Sequence, residues 1–228
     1  MGQAANIPVL TIDGPSGSGK GTIGQVLAQK LGWHFLDSGA LYRGLGFAVW
    51  RMGIDPADKA ALVRVAGDLD IRFVLKKDGS SVAVMLNGED VGDELRTEEG
   101  GRRASQLAAI PEVRQALLQK QHDFRQPPGL VADGRDMGTT VFPDAILKIY
   151  LTATPEVRAQ RRYKQLKEKG FDANLRQLLD EIRERDTRDA GRKASPLKPA
   201  EDACILDTSL LDITGVVEQI HRLLLERR

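Results

Sequence analysis

Short apolar runs alternate with helix-period stripes through both outer parts of the chain. Pro8–Ile12, Trp33–Leu36, Leu130–Ala132, Ile146–Leu151 and Cys204–Leu206 have the length and composition of strands. After the first run, Ile23, Val26, Leu27 and Leu31 recur at helical spacing, and after the last Ile213, Val216, Val217, Ile220, Leu223 and Leu224 do the same. This alternation predicts an α/β fold, a five-stranded parallel sheet covered by helices on both faces. The middle breaks the rhythm. Ile71-Arg72-Phe73-Val74, Val82-Ala83-Val84-Met85-Leu86 and Val91 are parted by Lys77-Asp78-Gly79-Ser80 and Asn87-Gly88-Glu89-Asp90. Asp-Gly and Asn-Gly between β-rich runs are hairpin signals, so a small antiparallel unit is expected at about 70–95, packed on helices from roughly 97–125.

The chemistry begins where the first strand ends. Residues 14–22 read Gly-Pro-Ser-Gly-Ser-Gly-Lys-Gly-Thr, and an amphipathic helix follows. Gly14, Gly17 and Gly19 let a loop curl tightly and aim backbone N–H groups inward. The helix opening near Lys20 adds unpaired N–H groups and its positive dipole end, and Lys20 adds a full charge. Spacing and context together are those of the Walker A loop, so the expected fold is a three-layer P-loop NTPase. The residues expected on ATP phosphates are Gly14, Ser16, Gly17, Ser18, Gly19, Lys20, Gly21 and Thr22. Gly21 stands where a Ser or Thr usually follows the lysine, so Mg²⁺ with ATP is expected to use Thr22, water or the phosphates themselves. Asp13 and Asp133, at strand ends, are candidates to hold a water of that ion.

Bulk properties narrow the setting. A length of 228 residues suits one domain with an insertion, and a net charge of +1 gives no reason to expect a polyanion-binding protein. No 18-residue apolar stretch and no secretion leader occur, so no membrane partner is expected. The single cysteine, Cys204, is read as a buried core thiol, in keeping with a cytoplasmic protein. His34, His122 and His221 are scattered and receive no role. Asp37 is read as the cap of the next helix, with Ser38.

The stretch 155–195 is dense in arginine. Runs of charge usually mark solvated helix faces. Here, however, Arg161 and Arg162 are a basic pair beside Arg158, and Arg185, Arg188, Asp189 and Arg192 fall at spacings that one helical face presents together. Enzymes that move phosphoryl groups need such cations. A GTPase reading lacks its Asn-Lys-x-Asp, and the Lys-Gly-Thr ending of the loop is the form of nucleoside monophosphate kinases.

Five segments carry a closer likeness: Asp13–Thr22, Leu36–Arg43, Ala104-Ser105-Gln106, Asp133-Gly134-Arg135-Asp136-Met137-Gly138-Thr139, and Arg185-Asp186-x-Arg188-Asp189. In register from about residue 7 to the C-terminal helix, the chain resembles bacterial cytidylate kinases. The resemblance implies transfer of the ATP γ-phosphoryl to CMP or dCMP with Mg²⁺. It implies CMP contacts at Ser38, Arg43, Ser105, Arg114, Arg135, Asp136, Arg185, Asp189 and Arg192. Asp136 would accept from cytosine N4, Arg114 and Ser105 would donate to N3 and O2, and Arg43 and Arg135 would fork onto the monophosphate. Arg185 and Asp189 would meet the sugar, and Arg192 would bridge toward the transferred group. The expected catalytic set is Lys20, Arg158, Arg162 and Arg192. The expected organisation is a core of 1–37, 126–154 and 171–228, an acceptor-binding region of 38–125, and a lid of 155–170 that swings Arg158 and Arg162 onto ATP. A monomer that binds no nucleic acid is expected. The alternatives are another small-molecule P-loop kinase, for UMP or a polyol acceptor, and a non-catalytic ATP-driven switch.

Overall fold

A computed structural model describes residues 7–75, 82–168, 170–192 and 194–227. In chain order the elements are β1 (Val9–Asp13), α1 (Lys20–Leu31), β2 (His34–Asp37), α2 (Ser38–Arg51), α3 (Lys59–Asp68), β3 (Ile71–Leu75), β4 (Val82–Leu86), β5 (Glu89–Asp90), α4 (Gly92–Leu95), α5 (Glu98–Leu107) and α6 (Pro111–Asp123). They continue with β6 (Leu130–Gly134), a wide turn at Met137–Val141, β7 (Leu147–Thr152), α7 (Pro155–Glu168), α8 (Leu175–Ala190), β8 (Cys204–Asp207) and α9 (Ile213–Leu225).

The main sheet is parallel in the order β2-β6-β1-β7-β8. Its strands are nearly unbroken apolar runs because both faces are covered. On one face Leu10 and Ile12 pack with Ile23 and Leu27 of α1 and Ile220 and Leu224 of α9. On the other, Val9, Leu36 and Leu130 pack with Met137 and Phe142 of the wide turn. Register pairs Asp13 with Gly134 and Asp37 with Asp133, so the carboxyl ends of β1, β2 and β6 lie flush. Ligands of such sheets bind at that edge, beside the central strand.

The 38–125 region has its own core, where Leu41, Leu45, Leu62, Val84, Leu95, Leu107, Val113 and Leu117 pack together. The antiparallel unit is present as β3-β4-β5. Its second turn is shorter than the sequence suggests. Asn87 (φ 50°) and Gly88 (φ 87°) alone make it, and Glu89 and Asp90 are the third strand, while Val91 precedes α4. Both strand residues are exposed and acidic, so they carry no apolar signal. The expected turn Lys77-Asp78-Gly79-Ser80, and Lys169 of the lid, lie outside the described residues.

Cys204 is half-buried against the sheet rather than enclosed, because β8 is an edge strand and leaves the neighbouring Ile205 61% exposed. His34 and His122 are paired to the carbonyls of Pro127 and Val141. Among the described residues, no helix is long and apolar enough to cross a membrane.

Candidate active site

A cavity of about 790 Å³ opens at the carboxyl edge of the sheet. One end is the loop Ser16–Thr22, the other the pair Arg114 and Asp136.

The loop end is held from below. A Cβ on Gly14 (φ 145°) would sit 2.0 Å from the Leu151 carbonyl oxygen, so only glycine lets the loop rest on β7. Gly14 is thus a support under the loop and does not line the cavity, whereas Ser16 through Thr22 do. Thr208, buried after β8, donates to Ser18 O at 3.2 Å and accepts from Arg161 Nη1 at 3.0 Å. Lys20 Nζ lies across the loop and donates to Pro15 O at 2.7 Å. Burial drives the Lys20 pKa well below that of a free lysine and drives the Asp133 carboxyl up, each opposing the other's shift. A polyanion in the cradle would restore the lysine's charge.

Asp13 is committed elsewhere. Its two carboxylate oxygens accept from the backbone N–H of Met137 and Gly138 at 2.9 and 2.8 Å, which fixes the wide turn. Burial raises its pKa to about 7. Of the two acids considered from sequence for a metal-bound water, Asp133 lines the cavity and Asp13 does not. Thr22 is exposed on the cavity wall and Asp133 lines it. An oxygen-only pair of this kind suits a hard divalent cation, and no group of three or more His, Cys, Asp or Glu among the described residues would hold a metal on its own. The ion would come with the nucleotide.

The far end is made of side chains. Asp37 caps α2 through Ala40 N at 2.7 Å and holds Arg43 with its second oxygen at 3.2 Å. Ser38 does not cap; its hydroxyl donates to Gln121 Oε1 at 2.8 Å. Asp189 is buried and binds Arg135 Nε at 3.1 Å, Arg192 and, at 3.9 Å, Arg185. Burial alone would push its carboxyl up, but these guanidiniums together hold it below the usual carboxylate range. Ser105 donates to Asp189 at 3.1 Å and accepts from Arg192 at 3.1 Å. Its proton is therefore spent within this cluster and does not point at a base, contrary to the expectation from sequence. Arg114 Nη2 donates to Asp136 Oδ2, so the two residues expected at the base are paired with each other. A Cβ on Gly101 would come within 2.9 Å of Arg185 Nη1, so α5 leaves a notch for that guanidinium.

Three of these arginines are incompletely paired. The buried Nε atoms of Arg43, Arg185 and Arg192 have no hydrogen-bond partner. The same three residues, with Arg114, Arg135 and Arg162, line the cavity and give it a cationic wall suited to an anion. Arg135 and Arg185 are the cations that most oppose the charge on Lys20, and Arg192 lies within electrostatic reach of Asp189, Arg135, Arg114 and Asp136.

Tyr42 is a lining residue that the motif spacing does not single out. It lines the cavity beside Arg114, Asp136 and Arg192, and its buried hydroxyl has no partner. Burial raises its pKa to about 12, so it stays protonated. The available signal was its place one turn after Ser38 on α2.

The arginine-rich stretch divides. Arg158 is 2% exposed, bonds Ala153 O, Ser16 O at 3.0 Å and Asp186, and does not line the cavity. It braces the loop from behind, which differs from the lid role expected for it. Arg162 lines the cavity but is held by Glu98 at 2.8 Å and by Arg96 O at 2.9 Å. Arg188 is exposed, and Arg192 lies beyond the end of α8 and folds back to Asp189.

A family model described as cytidylate kinase matches residues 10–226. A cytidylate kinase of Stutzerimonas stutzeri (strain A1501) is 59% identical over 94% of this chain and 93% of its own length. That of Aeromonas salmonicida (strain A449) is 57% identical over 93% and 92%. Solved structures align more loosely: a shikimate kinase from Acinetobacter baumannii gives a TM-score of 0.45 at 18% identity over 98% of this chain and 96% of its own, too distant to inform the acceptor. With a Walker loop, an arginine-lined acceptor end and a sequence match running almost end to end, the chain belongs to the cytidylate kinase family.

Proposed function

We propose that this protein transfers the γ-phosphoryl group of ATP to CMP or dCMP. The observation that carries this reading is the single cavity lined both by the Walker loop and by the Arg114–Asp136 pair, with Arg43, Arg135, Arg185 and Arg192 in the same wall. The ATP phosphates lie on the N–H groups of residues 16–22 and on Lys20. The acceptor phosphate lies on Arg43, Arg135 and Arg185. Cytosine reaches the far end, where Asp136 accepts from its amino group and Arg114 donates to its ring acceptors. Uracil would set a carbonyl against the carboxylate, and a site built on such pairing rejects the mismatch strongly.

An acceptor phosphate oxygen attacks the γ-phosphorus in line, and the bond to the β–γ bridging oxygen breaks, its electron pair leaving on ADP. Lys20, Arg135 and Arg185 face the charge that spreads over the transferred group, and no covalent enzyme intermediate is needed. Mg²⁺, reached by Thr22 and Asp133, would neutralise charge on the ATP phosphates. The part of α7 beyond Arg161 acts as a lid and 38–125 close over the acceptor, with Arg162 leaving Glu98 for ATP. Equal exchange protection of 155–170 with and without a bisubstrate mimic would rule out the lid. The protein works as a cytoplasmic monomer.

The decisive assay is ADP release from ATP and Mg²⁺ with CMP, dCMP, UMP or AMP offered singly. Turnover with CMP and dCMP, lost in Asp136→Ala, is expected. Equal turnover with UMP overturns the base readout, and release independent of any acceptor overturns the kinase reading.

A further inference from the structure

Behind the acceptor pocket, α6 presents two polar side chains seven residues apart, and so on one face. Arg114 reaches Asp136, and Gln121 reaches Ser38. Gln121 is 2% exposed and does not itself line the cavity. Its amide has one orientation that satisfies both neighbours. The Leu117 carbonyl, 3.4 Å away, is an acceptor only, so Nε2 must face it. Reversal would set two carbonyl oxygens against each other in a buried place. Oε1 therefore faces Ser38, at 2.8 Å, and claims the hydroxyl proton. Ser38 Oγ is left with lone pairs alone toward the cavity.

We infer that Gln121 is a positioning residue for acceptor choice: by taking the Ser38 proton it makes Ser38 an acceptor in the pocket, one that reads an N–H or O–H donor on the incoming nucleotide. A phosphate dianion offers no such donor. On a cytidine nucleotide the donors are the exocyclic amino group and the sugar hydroxyls; uracil lacks the first and a deoxyribose the 2′-hydroxyl. The inference rests on the proposed CMP reaction.

The test compares kcat/KM for CMP, dCMP and UMP in the wild type, Gln121→Met and Gln121→Glu. In Gln121→Met the hydroxyl is free to donate, and the preference it enforced falls by about tenfold, the scale of one hydrogen bond turned from matched to mismatched. A fall in the CMP:UMP ratio identifies the amino group as the donor read, and a fall in CMP:dCMP the 2′-hydroxyl. Gln121→Glu, protonated in this buried place, donates to Leu117 O and still accepts from Ser38, so it keeps the wild-type ratios. Adding Ser38→Ala to Gln121→Met lowers the affected ratio no further. Uniform loss for all three nucleotides in Gln121→Met, with both ratios unmoved, overturns the inference while leaving CMP phosphorylation standing. Wild-type protein that phosphorylates none of them overturns both. If Gln121→Met does not fold, a ratio altered in Gln121→Glu overturns the inference and a retained ratio lost in Ser38→Ala supports it.

Discussion

The donor side of the cleft is made of consecutive residues, Ser16 to Thr22, with Lys20 the one charged side chain among them. The acceptor side draws Arg43 from α2, Ser105 from α5, Arg114 from α6, Arg135 from the end of β6, and Arg185 and Asp189 from α8. The donor side is braced by uncharged contacts, Gly14 on Leu151 and Thr208 on Ser18, with Arg158 behind. On the acceptor side Asp189 is shared among three arginines, while Asp37 holds Arg43 and Asp136 holds Arg114. A backbone cradle is complete before ligand arrives. A side-chain receptor of this kind is complete only when an anion enters, so it carries an electrostatic cost in the free protein.

Removing the cation from the donor cradle should have the largest effect. Lys20→Met is expected to lower kcat by about 10³-fold, the scale of losing one preorganised charge in a transition state. Steady-state kinetics with CMP check it, and a change confined to the ATP KM would instead make the lysine a uniform binder.

Next, Asp189→Ala should lower stability by about 3–5 kcal/mol, because three clustered guanidiniums lose their counter-charge. Inorganic phosphate should raise the melting temperature of this variant more than that of the wild type. Equal shifts would mean that the arginine cluster is not under the tension argued here.

Arg158 and Arg162 sharpen the contrast between bracing and binding. Arg158→Ala should cost about 2–4 kcal/mol of stability, since it removes a buried guanidinium and strands Asp186 and Ser16 O. Arg162→Ala should leave the melting temperature nearly unchanged, because the Glu98 pair is a part-exposed one, and should lower kcat. Thermal melts and kinetics on both separate the roles.

The last test concerns pH, where the effect is spread over several pH units. Asp13 has a folded pKa of about 7 against an ordinary 3.8. Between pH 4 and 7 the folded state thus binds more protons than the unfolded one through this group, and its contribution to stability falls as pH rises. The slope is at most about 1.4 kcal/mol per pH unit. Denaturant unfolding of Asp13→Asn should show a flatter profile in that window than the wild type, with the two profiles parallel above pH 7.

Much of the fold was legible. The strands of the main sheet lie within a residue or two of the runs read from sequence, because a strand buried on both faces must be apolar throughout. β5 was misread as turn because an exposed edge pair of acids has nothing to bury. The Walker loop was legible because its function resides in consecutive backbone atoms and the glycines that shape them. Gly14 was assigned to the phosphates when it supports the loop, and Arg158 to the lid when it lies behind it. In both cases the residue type was right for phosphate chemistry, but the neighbour that claims it, Leu151 or Asp186, is more than 25 positions away.

By itself the sequence determined the strand and helix alternation, the glycine-rich loop and which arginines line the cavity, since periodicity, glycine placement and motif spacing are local properties. Only the tertiary structure decided how each polar group is spent. Ser105 gives its proton to Asp189, Ser38 to Gln121, and Asp13 takes two backbone amides, while the Tyr42 hydroxyl and three arginine Nε atoms are enclosed without a hydrogen-bond partner. The reason is physical: a buried donor or acceptor takes the nearest matching partner in space, and that partner lies 83 and 84 residues away for the two serines and more than 120 for Asp13.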